Sequence, residues 1–314
     1  MNKLLFLGLS FFWANFCFAQ YPNSINEPDV TSITIQPKIG YSISKSSFNI
    51  AGNELGQNPT VLSELIWDPT NALEYGIEAT LSHKKLFLRT DIALQSTLYG
   101  NVSDIDYDGD NRTSPYSTLY LSNHKGLGYS LKIQPGYYWT RTNKTSFATY
   151  ASFDYSGRKL YLLNDKDWQT NNTNYIPGLN SYYNYRFPSY GVGALLDHRL
   201  SNTLSTQIAL EGYVSQYAAY GNWNLIDDFE KPKSYEHKGT GRKINALLGL
   251  SYHLNARTSL GIEYNLNHFG VSNGKDYLYS KSSGLLKARL NDANETRHAF
   301  LLNLRYSLPF VHSN

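Results

Sequence analysis

Four aspartates, Asp104, Asp106, Asp108 and Asp110, alternate with Ile105, Tyr107 and Gly109. Carboxylates packed this closely repel one another, so a fold that keeps them together needs a cation, a shared proton or a held water to offset the cost. Asp-x-Asp-x-Asp-Gly from Asp104 to Gly109 resembles the start of a calcium loop, with alternate carboxylates turned to one centre and glycine at the sharp turn. Its twelfth position is Pro115 rather than a bidentate glutamate, which excludes an EF-hand but leaves a weaker Ca²⁺ site formed by Asp104, Asp106, Asp108 and Asp110. A solvated acidic tip is the plainer alternative. Hydrolysis through a held water is the third, and it requires a general base such as histidine.

Other chemistries are closed. Cys17 is the single cysteine and falls in the leading segment, so a processed chain has neither a disulfide framework nor a thiol nucleophile. The formal charge of +3 is too small, and its basic residues too scattered, to suit nucleic acid. Residues 1–19 read as a secretory signal: Lys3, then the apolar run Leu4 to Trp13, then Cys17-Phe18-Ala19 as a small-x-small cleavage site. Residues 20–314 are then one domain, with no repeat and no Pro-rich linker.

The elements that must position the acidic run are strands. Ile33, Ile35, Pro37, Ile39, Tyr41 and Ile43 alternate with polar residues, as do Leu260, Ile262, Tyr264 and Leu266, and Phe300, Leu302, Leu304, Tyr306 and Leu308. Mean hydropathy is negative although 27 tyrosines are present. Past the leader no apolar run is long enough for a transmembrane helix. Segments of membrane-spanning length with Tyr and Trp at their ends predict a transmembrane β-barrel, closed because an open sheet edge is unstable in hydrocarbon. Ten antiparallel strands are expected, near 30–45, 60–80, 85–100, 127–141, 146–162, 181–199, 203–219, 242–254, 258–272 and 296–310. Short turns lie at one end and long connections near 46–59, 100–126, 163–180, 220–241 and 273–295 at the other, the pattern of bacterial outer-membrane barrels. The polar wall, which includes Glu74, Glu78, Arg89, Asp91, Lys132, Glu211, Glu263 and Arg305, is expected to fill the interior with ion pairs.

At this point the chain resembles the omptins, a family of ten-stranded outer-membrane endopeptidases. The resemblance runs through residues 30–310 and rests on Gly40 to Lys45, Leu62-Ser63-Glu64-Leu65-Ile66-Trp67, Asp106-Tyr107-Asp108, Tyr183-Asn184-Tyr185-Arg186-Phe187 and Ile244-Asn245-Ala246. It implies a peptidase site in which a water lies between an aspartate pair and an opposing Asp-x-His pair. Asp106 and Asp108 match the first pair. Asn224 and Ile226 occupy the positions of the second, and no histidine occurs between His198 and His237. The general base is missing from its place. It can be restored by His237 with Asp227 or Asp228 as orienting carboxylate, or by His124; otherwise the peptidase site is degenerate. The alternative function is a non-catalytic surface barrel whose Tyr-rich loops bind a ligand, a cation or a host surface. The family's lipopolysaccharide pattern on the fifth strand is reduced here to Arg158, with Arg186 as a second expected phosphate contact.

Overall fold

The computed structural model describes residues 31–167 and 175–310, so the expected signal segment lies outside the described residues. Eleven strands form one antiparallel sheet: β1 (Thr31–Ile50), β2 (Ser63–His83), β3 (Leu86–Gly109), β4 (Thr113–Ser122), β5 (Leu127–Arg141), β6 (Thr145–Leu162), β7 (Ser181–Arg199), β8 (Leu204–Asn222), β9 (Tyr235–His253), β10 (Thr258–Ser280) and β11 (Gly284–Phe310). Neighbours run β2-β1-β11-β10-β9-β8-β7-β6-β5-β3-β4, and a further β2–β3 pairing closes the ring. The first and last strands meet along nearly their whole length, from Thr31↔Phe310 to Ile50↔Leu290.

Two expectations need correction. The sheet holds an eleventh strand beyond the ten expected, β4, which pairs with β3 and stands outside the ring that β2 and β3 close, and the connections expected near 100–126 and 273–295 are mostly strand. β3 takes two partners in turn: Leu86 to Ser96 pair with β5, and Asn101 to Gly109 pair with β4. The chain climbs β3, turns at Asp110–Arg112 and descends β4. It then bends through 123–126 into β5. Likewise β10 and β11 continue as a hairpin that closes at Ser280↔Gly284. Both hairpins extend past the lipid-facing belt, where neither face needs to be apolar.

The outward face of the wall carries that belt. Ile39, Ile77, Ile92, Leu210, Ile262 and Leu302 are all exposed. Such a surface is costly in water and suited to hydrocarbon. The inward face at the same level is charged and matched. Lys38 Nζ lies 2.9 Å from Glu78, 3.2 Å from Asp91 and 3.4 Å from Glu263. Lys132 pairs with Glu211 at 3.0 Å, Lys243 with Asp154 at 2.7 Å, and Arg297 with Glu74. Removing one partner from such a pair would leave a buried charge uncompensated.

Towards the long-connection end the filling changes from ionic to aromatic. Phe48, Leu65, Trp67, Val102, Leu160, Leu162, Tyr183, Tyr185, Phe187, Tyr217, Tyr235, Phe269 and Leu290 form one continuous buried cluster across the bore. Trp67 is fully buried, stacks on Tyr183 at 5.8 Å and donates its indole N–H to the Tyr161 carbonyl at 3.1 Å. Gly221 matters to this layer, because the Tyr235 ring occupies the space where a Cβ at that position would lie. The cluster is a plug that separates the ionic mid-bore from the outer rim.

Candidate functional site

The acidic run is not a loop. Asp104 and Asp106 are strand residues paired with Leu65 and Ser63 on β2 and with Leu119 and Ser117 on β4. Alternation places Val102, Asp104, Asp106 and Asp108 on the side of β3 that faces over the plug, since Val102 is part of it. Asp110 lies at the hairpin tip, where its Oδ1 accepts the Thr60 N–H at 2.8 Å. The tip is secured by Arg112, which binds Glu64 through two nitrogens at 3.0 and 2.7 Å.

This geometry weakens the Ca²⁺ reading. Alternate residues on an extended strand stand roughly 7 Å apart, whereas calcium ligands converge to about 2.3–2.6 Å from one ion. Among the described residues no three His, Cys, Asp or Glu side chains are grouped to hold a metal. Asp106 is served instead by the Ser63 and Ser117 hydroxyls, and Asp108 is exposed. Asp104 is the unusual member. Its Oδ1 is buried with no hydrogen-bond partner, and burial, with Asp106 adding to it, pushes its carboxyl up to about 7.

The expected second half of a peptidase site is not assembled where the resemblance places it. Asn224 pins two connections together: its Oδ1 accepts from Asn180 N at 2.9 Å and Ser181 Oγ at 3.0 Å, and its Nδ2 donates to Gly178 O at 2.8 Å. Ile226 is exposed. His124 bonds Ser122 Oγ at 2.8 Å, and its imidazole is held below its usual range by burial, then by Lys166 and Lys125.

His237 does face the bore, but its partner is not Asp228. That carboxylate accepts from the Ser280 hydroxyl at 2.6 Å and the Ser282 N–H at 3.0 Å, tying the β8–β9 connection to the β10–β11 hairpin. The carboxylate beside His237 is Asp276, its cross-strand neighbour on β10, with Oδ1 3.1 Å from Nε2 but off the line of a good hydrogen bond. On its other side His237 Nδ1 is bonded to Tyr183 Oη at 2.8 Å, and Tyr183 to Tyr217 at 2.6 Å. The imidazole has no solvent exposure; the Phe48 and Tyr235 rings lie 4.7 and 5.1 Å from it. Tyr235 connects the two halves. Its hydroxyl lacks a partner, and its ionisation is pushed well up by burial, then by the charges of Asp104 and Asp276. A His–Asp pair and an acidic strand therefore approach a common tyrosine, inside a packed layer.

Neither Asp276 nor Tyr235 was among the expected site residues. Asp276 lies 39 positions after His237, and only the β9–β10 register brings them together. Of the arginines expected to meet lipopolysaccharide, Arg158 is inside the barrel, 3% exposed, with Nη1 2.7 Å from Ser44 Oγ and 3.9 Å from Glu295. It is thereby turned away from the outer leaflet. Arg186 is exposed on the outward face, near Tyr129, Tyr220 and Lys233.

Comparison with known proteins agrees with the architecture. Residues 38–308 match the family model described as Pom, Protochlamydia outer membrane protein. Among solved structures, the outer membrane protease OmpT from Escherichia coli aligns with a TM-score of 0.67 at 13% identity, over 90% of this chain and 97% of that one. OprG from Pseudomonas aeruginosa aligns with a TM-score of 0.35 at 10% identity, over 90% and 98%. The Ralstonia pickettii toluene transporter TbuX aligns with a TM-score of 0.34 at 9% identity, over 88% and 89%. No curated protein sequence matches the chain. The OmpT likeness is one of fold.

Proposed function

The chain belongs to the Protochlamydia outer membrane protein family, and from that premise we propose that it is a non-catalytic surface barrel whose acidic β3–β4 hairpin binds cationic chain segments. One observation carries this reading: His237, the histidine expected to restore the base, has no solvent exposure and is packed against the Phe48 and Tyr235 rings of the aromatic plug, which leaves no room for a peptide beside it. The hairpin is the part left available. Asp108 is exposed, and Tyr116 is 58% exposed on the adjoining β4. Tyr116 feels the charges of Asp106, Asp108 and Asp104. Carboxylates beside open aromatic rings suit lysine and arginine side chains, through charge and cation–π attraction together.

The omptin-type endopeptidase is the second reading. It is favoured by the unbonded polar atoms of Asp104, Tyr235, His237 and Asp276, which could serve a water if the plug opened. One experiment separates the two. Intact cells displaying the protein are incubated with fluorogenic peptides containing paired basic residues, and retention and cleavage are both recorded. The binding reading predicts retention that weakens in Asp108→Asn and Tyr116→Ala, without cleavage. Cleavage abolished by Asp106→Ala and by His237→Ala would replace it with the hydrolytic one.

A further inference from the structure

The opposite end of the barrel carries charge that the rest of the interior does not. Along the bore, Lys38, Arg89, Lys132, Arg158, Lys243 and Arg297 each lie within 4 Å of a carboxylate. Arg305 breaks the pattern. It points inward from β11, opposite the buried Ser259 of β10, and is partly buried. It makes no ion pair or hydrogen bond among the described residues. A guanidinium held off bulk water with no anion in contact is costly; the charge of Glu78 reaches it, but Glu78 is already bound by Lys38 at 2.9 Å.

Arg305 forms part of the floor of a cavity of about 160 Å³ at the short-turn end. Three further cations line it: Arg141 and Lys144 at the β5–β6 turn and Arg257 before β10. The one carboxylate in the lining is Asp197, and it is already engaged by Ser146 Oγ at 3.2 Å and Gln207 Nε2 at 2.8 Å. Arg141 is fixed rather than floating, donating to the Lys84 carbonyl at 2.9 Å and lying 4.9 Å over the Tyr138 ring. Two imidazoles complete the lining. His198 and His253 are each oriented by one hydroxyl, Thr145 Oγ1 at 2.8 Å and Ser205 Oγ at 2.9 Å, which leaves one ring nitrogen on each for a ligand.

We propose that this bowl, which faces the periplasm, binds a multivalent phosphate anion of about diphosphate size. Planar guanidinium forks match phosphate oxygens two at a time, and several of them around one cavity favour a polyanion over a single carboxylate. The site is independent of the acidic hairpin at the other end. The same chemistry is offered by a free diphosphate and by a diphosphate on a prenyl lipid.

The test uses the whole chain folded in detergent micelles, titrated calorimetrically with inorganic diphosphate, a short prenyl diphosphate and citrate. Diphosphate binding weakened at least about tenfold in Arg305→Ala and in Arg257→Ala is expected, equivalent to losing one charge-assisted contact each. Arg257 is a turn residue, so its variant preserves the wall if Arg305→Ala disturbs folding; unchanged heat-modifiable gel mobility checks both. Tighter binding of the prenyl form identifies a lipid headgroup, and equal binding identifies the free anion. Absence of diphosphate binding, citrate binding as tight as diphosphate, or binding indifferent to both arginines would overturn the proposal.

Discussion

Asp104 offers a sharp test of how the outer half of the barrel is held. Its carboxyl is pushed up to about 7 by burial, with Asp106 adding to the shift. An ordinary aspartate titrates near 4, so the folded hairpin prefers the protonated form by about three units. At roughly 1.4 kcal/mol per unit this is a ceiling of about 4 kcal/mol, reduced by whatever solvent still reaches the side chain. The sign follows from linkage. A raised folded-state pKa gives stability that is complete below about pH 4 and is lost as pH rises through about 7. Asp104→Asn keeps the neutral shape and removes the titration. The variant should therefore match the parent near pH 3 and be more stable near pH 8. Hydrogen exchange of the β3 and β4 amides in membrane-reconstituted protein reads the difference, and infrared spectroscopy should show a protonated-carboxyl band that disappears between about pH 6 and 8 in the parent only. Equal protection of parent and variant at both pH values, or a carboxyl band that persists in Asp104→Asn, would refute the reasoning.

Two further outcomes follow from the two fillings of the bore and the face that surrounds them. Trp67→Ala should cost about 3–5 kcal/mol, as for other large buried aromatics, and should raise exchange on β1, β2 and β7 near the rim while leaving the ion-paired mid-bore protected. Leu210→Arg, on the exposed apolar belt, should destabilise the barrel by about 2–4 kcal/mol if it lies near the bilayer midplane, measured by denaturant unfolding in lipid vesicles; a loss near zero would mean that this face does not meet hydrocarbon.

The membrane-embedded part of the fold was legible because hydrocarbon imposes a strict rule on it. Every second residue of β11 from Phe300 to Leu308 must be apolar, so the alternation survives in the sequence. Beyond the belt that constraint ends, and with it the signal. Asp104 to Gly109 reads as a turn because aspartate and glycine are turn formers, yet it is strand because β2 and β4 supply its hydrogen bonds. The same reason hid the continuation of β10 and β11. Within the site, the absence of an imidazole between His198 and His237 was readable, and His237 was the next histidine along the chain. Its partner was not readable. Asp228 was favoured by proximity in sequence, whereas a strand residue's neighbours are set by register, which gave His237 to Asp276.

The likeness to OmpT is one of fold and carries no chemistry with it; the plug determines what surrounds His237. Tyr183, Tyr185 and Phe187 are alternate, inward-facing residues of β7, and Trp67, Phe48 and Tyr235 meet them from across the bore. A catalytic imidazole needs a free nitrogen in a wet cleft. His237 has Tyr183 on one nitrogen and an ill-aligned Asp276 on the other, with aromatic rings around both. Its surroundings therefore suit a buried polar link across packed strands better than a base. The same packing fixes Tyr235 against Gly221 and brings it under the influence of Asp104.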